Sequence, residues 1–174
     1  MKGVQGIMRL SPVPDRLFDA YDRVTPEILR GMGVRLLLCD LDYTLAPKRV
    51  REPDEKLRRW IGEMKAAGIQ VMILSNNRSP ARVERFCGDL GIAYEGHAGK
   101  PFARGFRRAV ERAGVAAGET VMLGDKLLTD VLCAHFNGCP ALMVEPAGGP
   151  VTLLQKALHA MQEPFKRMNR RKRA

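Results

Sequence analysis

Val34-Arg35-Leu36-Leu37-Leu38-Cys39-Asp40-Leu41-Asp42 decides the fold. The run from Val34 to Cys39 is apolar apart from Arg35, which suits a strand buried on both faces of a sheet. It stops at two carboxylates. Outward from it the same grammar recurs. Ile69 to Leu74, Ile92 to Tyr94, Thr120 to Leu123 and Ala141 to Val144 read as four further strands. Helices are expected between them: Asp54 to Ala67, Ser79 to Leu90, Pro101 to Ala113 (with Phe102, Phe106 and Val110 inward), Thr129 to Phe136 and Val151 to Gln162. Ahead of the first strand, Asp15 to Asp22 and Thr25 to Met32 read as two short helices, the second opened by Thr25-Pro26-Glu27. Strands alternating with helices imply right-handed βαβ units, hence an α/β Rossmann-like, doubly wound parallel sheet of five strands. Ligands of such sheets sit beyond the carboxyl ends of the strands.

At those ends the chemistry-bearing residues gather. Asp40-Leu41-Asp42 follows the first strand, Ser75-Asn76-Asn77 the second and Gly124-Asp125 the fourth, while Lys100 follows the short third strand. Each motif alone is an ordinary turn, helix entry or capping carboxylate. Together, at the ends of successive strands, they supply what phosphoryl transfer requires: an in-line nucleophile and positive charge around the equatorial oxygens. Asp40 is the candidate nucleophile, forming an aspartyl-phosphate. Asp42, two residues on, can protonate the leaving alkoxide and later activate water. Asp40, Asp125 and the backbone carbonyl of Asp42 can give Mg²⁺ its oxygen ligands. Ser75, the Asn76 amide and Lys100 can hold the phosphoryl oxygens.

Asp40-Leu41-Asp42-Tyr43-Thr44-Leu45, Ser75-Asn76-Asn77, Lys100-Pro101 and Gly124-Asp125-Lys126-Leu127-Leu128-Thr129-Asp130 resemble the four motifs of the haloacid dehalogenase (HAD) superfamily. The flanks Thr25-Pro26-Glu27, Arg85-Phe86-Cys87 and Thr129-Asp130-Val131-Leu132 are similar more narrowly to the YqeG-type phosphatases of subfamily IIIA. The likeness runs from about Leu17 to Val144. It implies Asp40 as nucleophile, Asp42 as acid/base, Ser75 and Lys100 as phosphate ligands, and Asp40 and Asp125 as metal ligands. Asp130 would hold a metal-bound water or Lys100, and Thr44 would steady the loop. Tyr43 stands where asparagine is expected, Lys126 where glutamine is expected, and Cys133-Ala134-His135-Phe136 replaces Gly-Gly-Asn-Arg. These departures are expected at the rim, where they bear on substrate rather than chemistry.

The spacing bounds the substrate. Thirty residues separate Thr44 from Ser75, and one helix with its connections uses them up, so no cap domain is expected. An open site suits a phosphate on something large or membrane-borne, or closure by a second copy in a homo-oligomer. Eukaryotic relatives of the YqeG branch make phosphatidylglycerophosphate the leading substrate by analogy; a soluble nucleotide or sugar phosphate is the alternative.

The 174 residues fit one domain, with residues 1–163 read as the phosphatase unit and 164–174 as a basic tail. Lys and Arg number 29 against 19 Asp and Glu, a net charge of +10, which attracts polyanions without choosing among them. Six of the nine residues from Lys166 to Ala174 are basic and none is acidic. Such a tail can lie on an anionic membrane or bind nucleic acid, the latter with Arg104, Arg107, Arg108 and Arg112 as further candidate contacts. Cys39, Cys87, Cys133 and Cys139 form no C-x-x-C pair, which disfavours a zinc or disulfide framework. With no signal-peptide pattern and no apolar run of membrane-spanning length, the expectation is a cytoplasmic protein, at most peripheral at the inner membrane face.

Overall fold

The computed structural model describes residues 8–77, 80–149 and 153–171. The Leu36–Cys39 run forms β2, every residue buried, and pairs in parallel with β3 (Gln70–Leu74) on one side and β5 (Thr120–Gly124) on the other. Beyond β3 lies β4 (Ala93–Glu95), and beyond β5 lie β6 (Ala141–Val144) and then β1 (Arg16–Phe18). All pairings are parallel and the order is β1-β6-β5-β2-β3-β4. From β2 the chain steps outward to β3 and β4, then crosses to β5 and steps outward to β6, beyond which the earlier β1 forms the edge. The β2/β5 junction is the switch point, where a crevice opens at the carboxyl edge.

Alternate strand residues feed two cores. Leu37, Cys39, Ile73, Val121 and Leu123 face α1 (Pro26–Gly31), α2 (Glu55–Ala66) and α3 (Pro80–Leu90), from which Leu29, Leu57, Trp60, Ile61 and Phe86 meet them. Leu36, Leu38, Met72, Leu74 and Met122 face α4 (Ala103–Ala113) and α5 (Leu132–Phe136) through Phe106, Ala109, Cys133 and Ala134. Each of the four cysteines is buried and free. Helix α2 begins where the sequence predicts, because the Asp54 carboxylate caps it by accepting from the Leu57 N–H at 2.8 Å.

Three expectations are corrected. Asp15 to Asp22 is not a helix: Arg16–Phe18 adds a sixth strand, and Tyr21–Arg23 is a single 3₁₀ turn. The Asp15 carboxylate accepts from the Ala141 N–H at 2.8 Å and meets His135 Nε2 at 2.9 Å, which fixes the chain beside β6. Phe102 is not inward. It sits at the N-cap of α4 and is 72% exposed. The last helix, α6, runs Leu153–Arg171 and so continues past Gln162. Within it Lys166 is buried, its Nζ 2.6 Å from Glu145 and 3.5 Å from Glu163. Lys166 is thus an internal ion pair rather than the start of a solvated tail. Of the tail, residues 172–174 lie outside the described residues, as do Val151 and Ser79 from the expected helix starts. No helix among the described residues is long and apolar enough to cross a membrane.

Candidate active site

The carboxyl ends of β2, β3 and β5 and the segment after β4 open into one cavity of about 470 Å³, lined by Asp40, Asp42, Ser75, Asn76, Lys100 and Lys126 among others. Separate stretches of chain meet there because parallel strands present all their carboxyl ends on one edge. No cap domain intervenes among the described residues: only α2 and β3 lie between Thr44 and Ser75.

Asp40 is buried at the tip of β2. Its Oδ1 accepts from Lys100 Nζ at 2.7 Å, and the same ammonium lies 2.7 Å from Asp130 Oδ1. Lys100 thus bridges two buried carboxylates, with its own side chain 2% exposed. Burial is the largest single influence on that ammonium and works against its charge, but Asp130 and Asp40 outweigh it and hold the pKa well above the ordinary value. For Asp40 burial likewise pushes upward, yet Lys100 and Lys126 prevail and keep the carboxyl below its ordinary range. Asp40 is therefore an ionised, desolvated carboxylate, the state a nucleophile needs.

Asp125 follows β5, its Oδ1 accepting from Thr44 Oγ1 at 3.2 Å and Lys126 Nζ at 2.7 Å. Thr44 thereby ties the loop after β2 to the loop after β5. Burial above all, with the charges of Asp130 and Asp40, raises the Asp125 pKa to about 7 against the pull of Lys126. Gly124 is needed here because a Cβ would overlap the Asp130 side chain. Asp130 sits in a π-helical turn, Leu127–Val131, and its Oδ2 accepts from the Lys126 N–H at 3.1 Å.

Carboxylate oxygens of Asp40, Asp125 and Asp130 lie within 4.8 Å of one another. The Lys126 ammonium stands between two of them as a stand-in cation, 2.7 Å from Asp125 and 3.6 Å from Asp40, and 3.4 Å from the Asp42 carbonyl oxygen. An all-oxygen donor set already holding one cation fits a hard divalent ion. Lys126 is thus not a rim residue. It occupies the centre of the site.

The remaining predicted residues divide. The Ser75 Oγ is buried and accepts from the Asn77 N–H at 3.0 Å. The Asn76 side chain is committed to the Lys100 main chain, accepting from its N–H at 2.8 Å and donating to its carbonyl at 2.9 Å. What Asn76 can offer a phosphate is its main-chain N–H. The Asp42 carboxylate is held by Asn77 Nδ2 at 2.9 Å and by the Arg82 guanidinium. Arg82 also donates to the Val50 carbonyl at 2.9 Å and so staples the loop between β2 and α2. Sequence reasoning missed Arg82, one of two arginines in α3, and Lys48, which also lines the cavity. The turn places Tyr43 at φ +70°, a left-handed conformation that asparagine adopts more readily than tyrosine. His135 is buried between the Ser11 carbonyl and Asp15, away from the cavity. Of the four arginines on α4, Arg108 pairs with Glu95 and Arg112 donates to the Tyr94 carbonyl, so two of them hold α4 to β4.

A buried aspartate ending the central strand of a capless Rossmann-like sheet, bridged to a lysine after β4 and flanked by a second acidic loop after β5, describes a HAD-type phosphatase. Comparison with known proteins agrees. The HAD-hydrolase-like family profile matches residues 97–163. The probable phosphatase YqeG of Bacillus subtilis (strain 168) is 37% identical over 134 residues, covering 77% of each chain. The chain therefore belongs to the HAD superfamily, with the YqeG-type phosphatases. Among solved structures, the cobalt-bound deoxy-D-mannose-octulosonate 8-phosphate phosphatase YrbI of Haemophilus influenzae superposes with a TM-score of 0.53 at 19% identity, covering 78% of this chain and 90% of that one. The 3-deoxy-D-manno-octulosonate 8-phosphate phosphatase of Yersinia pestis gives 0.52 at 14% identity, covering 82% and 89%. These two share the fold.

The raised Asp125 pKa has a consequence for metal binding. Below about pH 7 the metal-free protein holds a proton that a bound cation must expel. At pH 6, binding of a divalent cation is expected to release close to one proton, and at pH 8.5 almost none. Calorimetry in buffers of different ionisation enthalpy measures the difference; equal release at both values would refute the assignment. In the absence of metal the sign for stability is the reverse of the usual carboxylate case. The unfolded state loses this proton near pH 4 and the folded state near 7, so Asp125 makes stability fall as pH rises between them.

Proposed function

We propose that the chain is a Mg²⁺-dependent phosphomonoester hydrolase acting through an aspartyl-phosphate on Asp40, with an amphiphilic phosphate ester as substrate. The observation that carries the reaction is the convergence at the β2/β5 switch point of Asp40 with Lys100, 2.7 Å away, and with Asp125, whose carboxylate oxygen lies within 4.8 Å. Asp40, Asp125 and the Asp42 carbonyl would hold the ion, which would offset the repulsion between the nucleophile and the phosphate. In the first step a bond forms between an Asp40 carboxylate oxygen and phosphorus while the ester P–O bond breaks. The leaving alkoxide takes its proton from Asp42, which must first leave Arg82 and Asn77 and take up a proton as substrate binds. In the second step water attacks phosphorus, its proton passes to Asp42, and the bond to Asp40 breaks, restoring the carboxylate. Lys100, Ser75 and the Asn76 N–H stabilise the phosphoryl oxygens.

The neighbourhood supports an apolar leaving group. Sharing Lys126 and Thr129 with the catalytic cavity is a second one of about 480 Å³, lined by Pro12, Leu127, Leu128, Met161 and Phe165. Leu128 and Met161 are about half exposed, at 53% and 49%. An open polar site continuous with an apolar trough fits a headgroup phosphate with a hydrocarbon chain beside it, and phosphatidylglycerophosphate is the leading candidate by family resemblance. The test compares kcat/KM in Mg²⁺ for phosphatidylglycerophosphate in mixed micelles with that for glycerol 3-phosphate. The lipid is expected to be favoured at least tenfold, and Leu128→Gln with Met161→Gln should remove that preference while sparing a soluble aryl phosphate. Equal loss on both substrates, or a preference for the soluble ester, would refute the amphiphilic reading. A peripheral membrane contact through the basic residues Arg167, Arg170, Arg171, Lys172 and Arg173 belongs to the same proposal and would appear as salt-sensitive liposome binding.

A further inference from the structure

We infer that Lys126 is a tethered cation that closes the metal site in the metal-free protein and must be displaced for a divalent ion to enter. The inference rests on the metal-dependent reading above and concerns how that site is regulated. Lys126 Nζ lies 2.7 Å from Asp125 Oδ1, 3.4 Å from the Asp42 carbonyl and 3.6 Å from Asp40 Oδ2. These are the same three groups that would hold the ion. A lysine ammonium presents three rotatable donors on a flexible stem, and here it finds three oxygens. Two cations cannot share that space: a divalent ion among these oxygens would stand within a few ångströms of the ammonium, in a setting too buried to screen the repulsion.

The side chain has somewhere to go. It is 42% exposed, in contrast to Lys100, and it lines both the catalytic cavity and the apolar trough beside it. Swung outward, the ammonium would remain at the cavity wall, where a phosphate adds negative charge. Ion and phosphate together would then draw Lys126 off the carboxylates, so that each promotes binding of the other. Lys100 has no such freedom. It is enclosed between Asp40 and Asp130 on the far side of the nucleophile and does not compete for the same oxygens. Glutamine, the residue expected at this position from the family resemblance, would leave the oxygens free for the ion.

The test measures binding rather than turnover. Mn²⁺ is titrated into the full-length protein at fixed pH and ionic strength, with free ion read from its electron paramagnetic resonance signal. Lys126→Gln is expected to bind Mn²⁺ at least tenfold more tightly than the unaltered protein, whereas Lys126→Arg, which keeps the charge, should stay within about threefold of it. Adding inorganic phosphate should tighten Mn²⁺ binding by the unaltered protein more than by Lys126→Gln. Asp125→Asn should lose binding in either background, which locates the ion; circular dichroism verifies that each variant is folded. Equal affinity of Lys126→Gln and the unaltered protein, or tight binding by Lys126→Arg, would overturn the inference while leaving a metal-dependent phosphatase intact. No Mn²⁺ binding by any of the proteins would overturn both.

Discussion

Replacing Asp40 with asparagine is expected to lower hydrolysis of p-nitrophenyl phosphate by a factor of roughly 10⁴ or more and to abolish any acid-stable phosphoenzyme. The substitution keeps the shape of the side chain and removes the anionic oxygen that would bond to phosphorus. The loss should fall on kcat, because Lys100, Ser75 and the Asn76 N–H would still be present to receive the phosphate. Burial without compensation would have favoured a protonated, unreactive carboxyl at this position, but Lys100 and Lys126 keep it charged. The fold should survive, since Lys100 retains Asp130 at 2.7 Å as a partner. Steady-state kinetics, with ³²P trapping after an acid quench, provide the measurement. If Asp40→Asn retained even a tenth of the turnover, the nucleophile would have to be sought elsewhere.

Much of this site is legible in the sequence because parallel sheets make it so. Once Leu36–Cys39, Gln70–Leu74 and Thr120–Gly124 are recognised as strands, the residues that follow them must share an edge, and no tertiary information is needed to bring Asp40, Ser75 and Asp125 together. The strands announce themselves as apolar runs because both faces are buried. The sixth strand gives no such signal. Arg16–Phe18 is three residues at the sheet's edge, half-buried, and what makes it a strand is pairing with β6 and the anchoring of Asp15. Edge strands of this length derive their conformation from a neighbour far along the chain.

Polar residues inside the structure are the other blind spot. Lys166 reads as a tail residue because lysine ordinarily seeks water, yet Gln162 and Lys166 are one helical turn apart and both face inward. Glu145, just past β6, is the partner that makes burial of Lys166 tolerable. Lys126 reads as a rim substitution for the same reason. One residue beyond Asp125, it could point in several directions, and only the three-dimensional arrangement aims it between Asp125 and Asp40. Arg82 is illegible because an arginine on a helix of mixed charge carries no mark of its target, although the target is Asp42, the proposed acid/base. Its grip sets where that carboxylate rests before substrate arrives.

Lys100→Met should have the largest effect on folding. The lysine is enclosed, its ammonium bridging Asp40 and Asp130 at 2.7 Å each, with Asp125 in the same acidic cluster. Methionine fills similar space but leaves buried carboxylates without their shared counter-charge. Removing one member of a buried ion pair typically costs about 3–5 kcal/mol, and here one side chain serves two partners. Urea unfolding without metal at pH 8 is expected to show a loss of that order, larger than that from neutralising either partner alone. Lowering the pH should recover part of the loss, because protonation relieves the uncompensated charge. The double variant Lys100→Met with Asp130→Asn should be more stable than Lys100→Met alone, since it deletes one of the orphaned charges; such non-additivity is what a shared network predicts. A loss below about 1 kcal/mol, or strict additivity in the double variant, would mean that the carboxylates find other compensation and that Lys100 is held in place for the reaction and not for the fold.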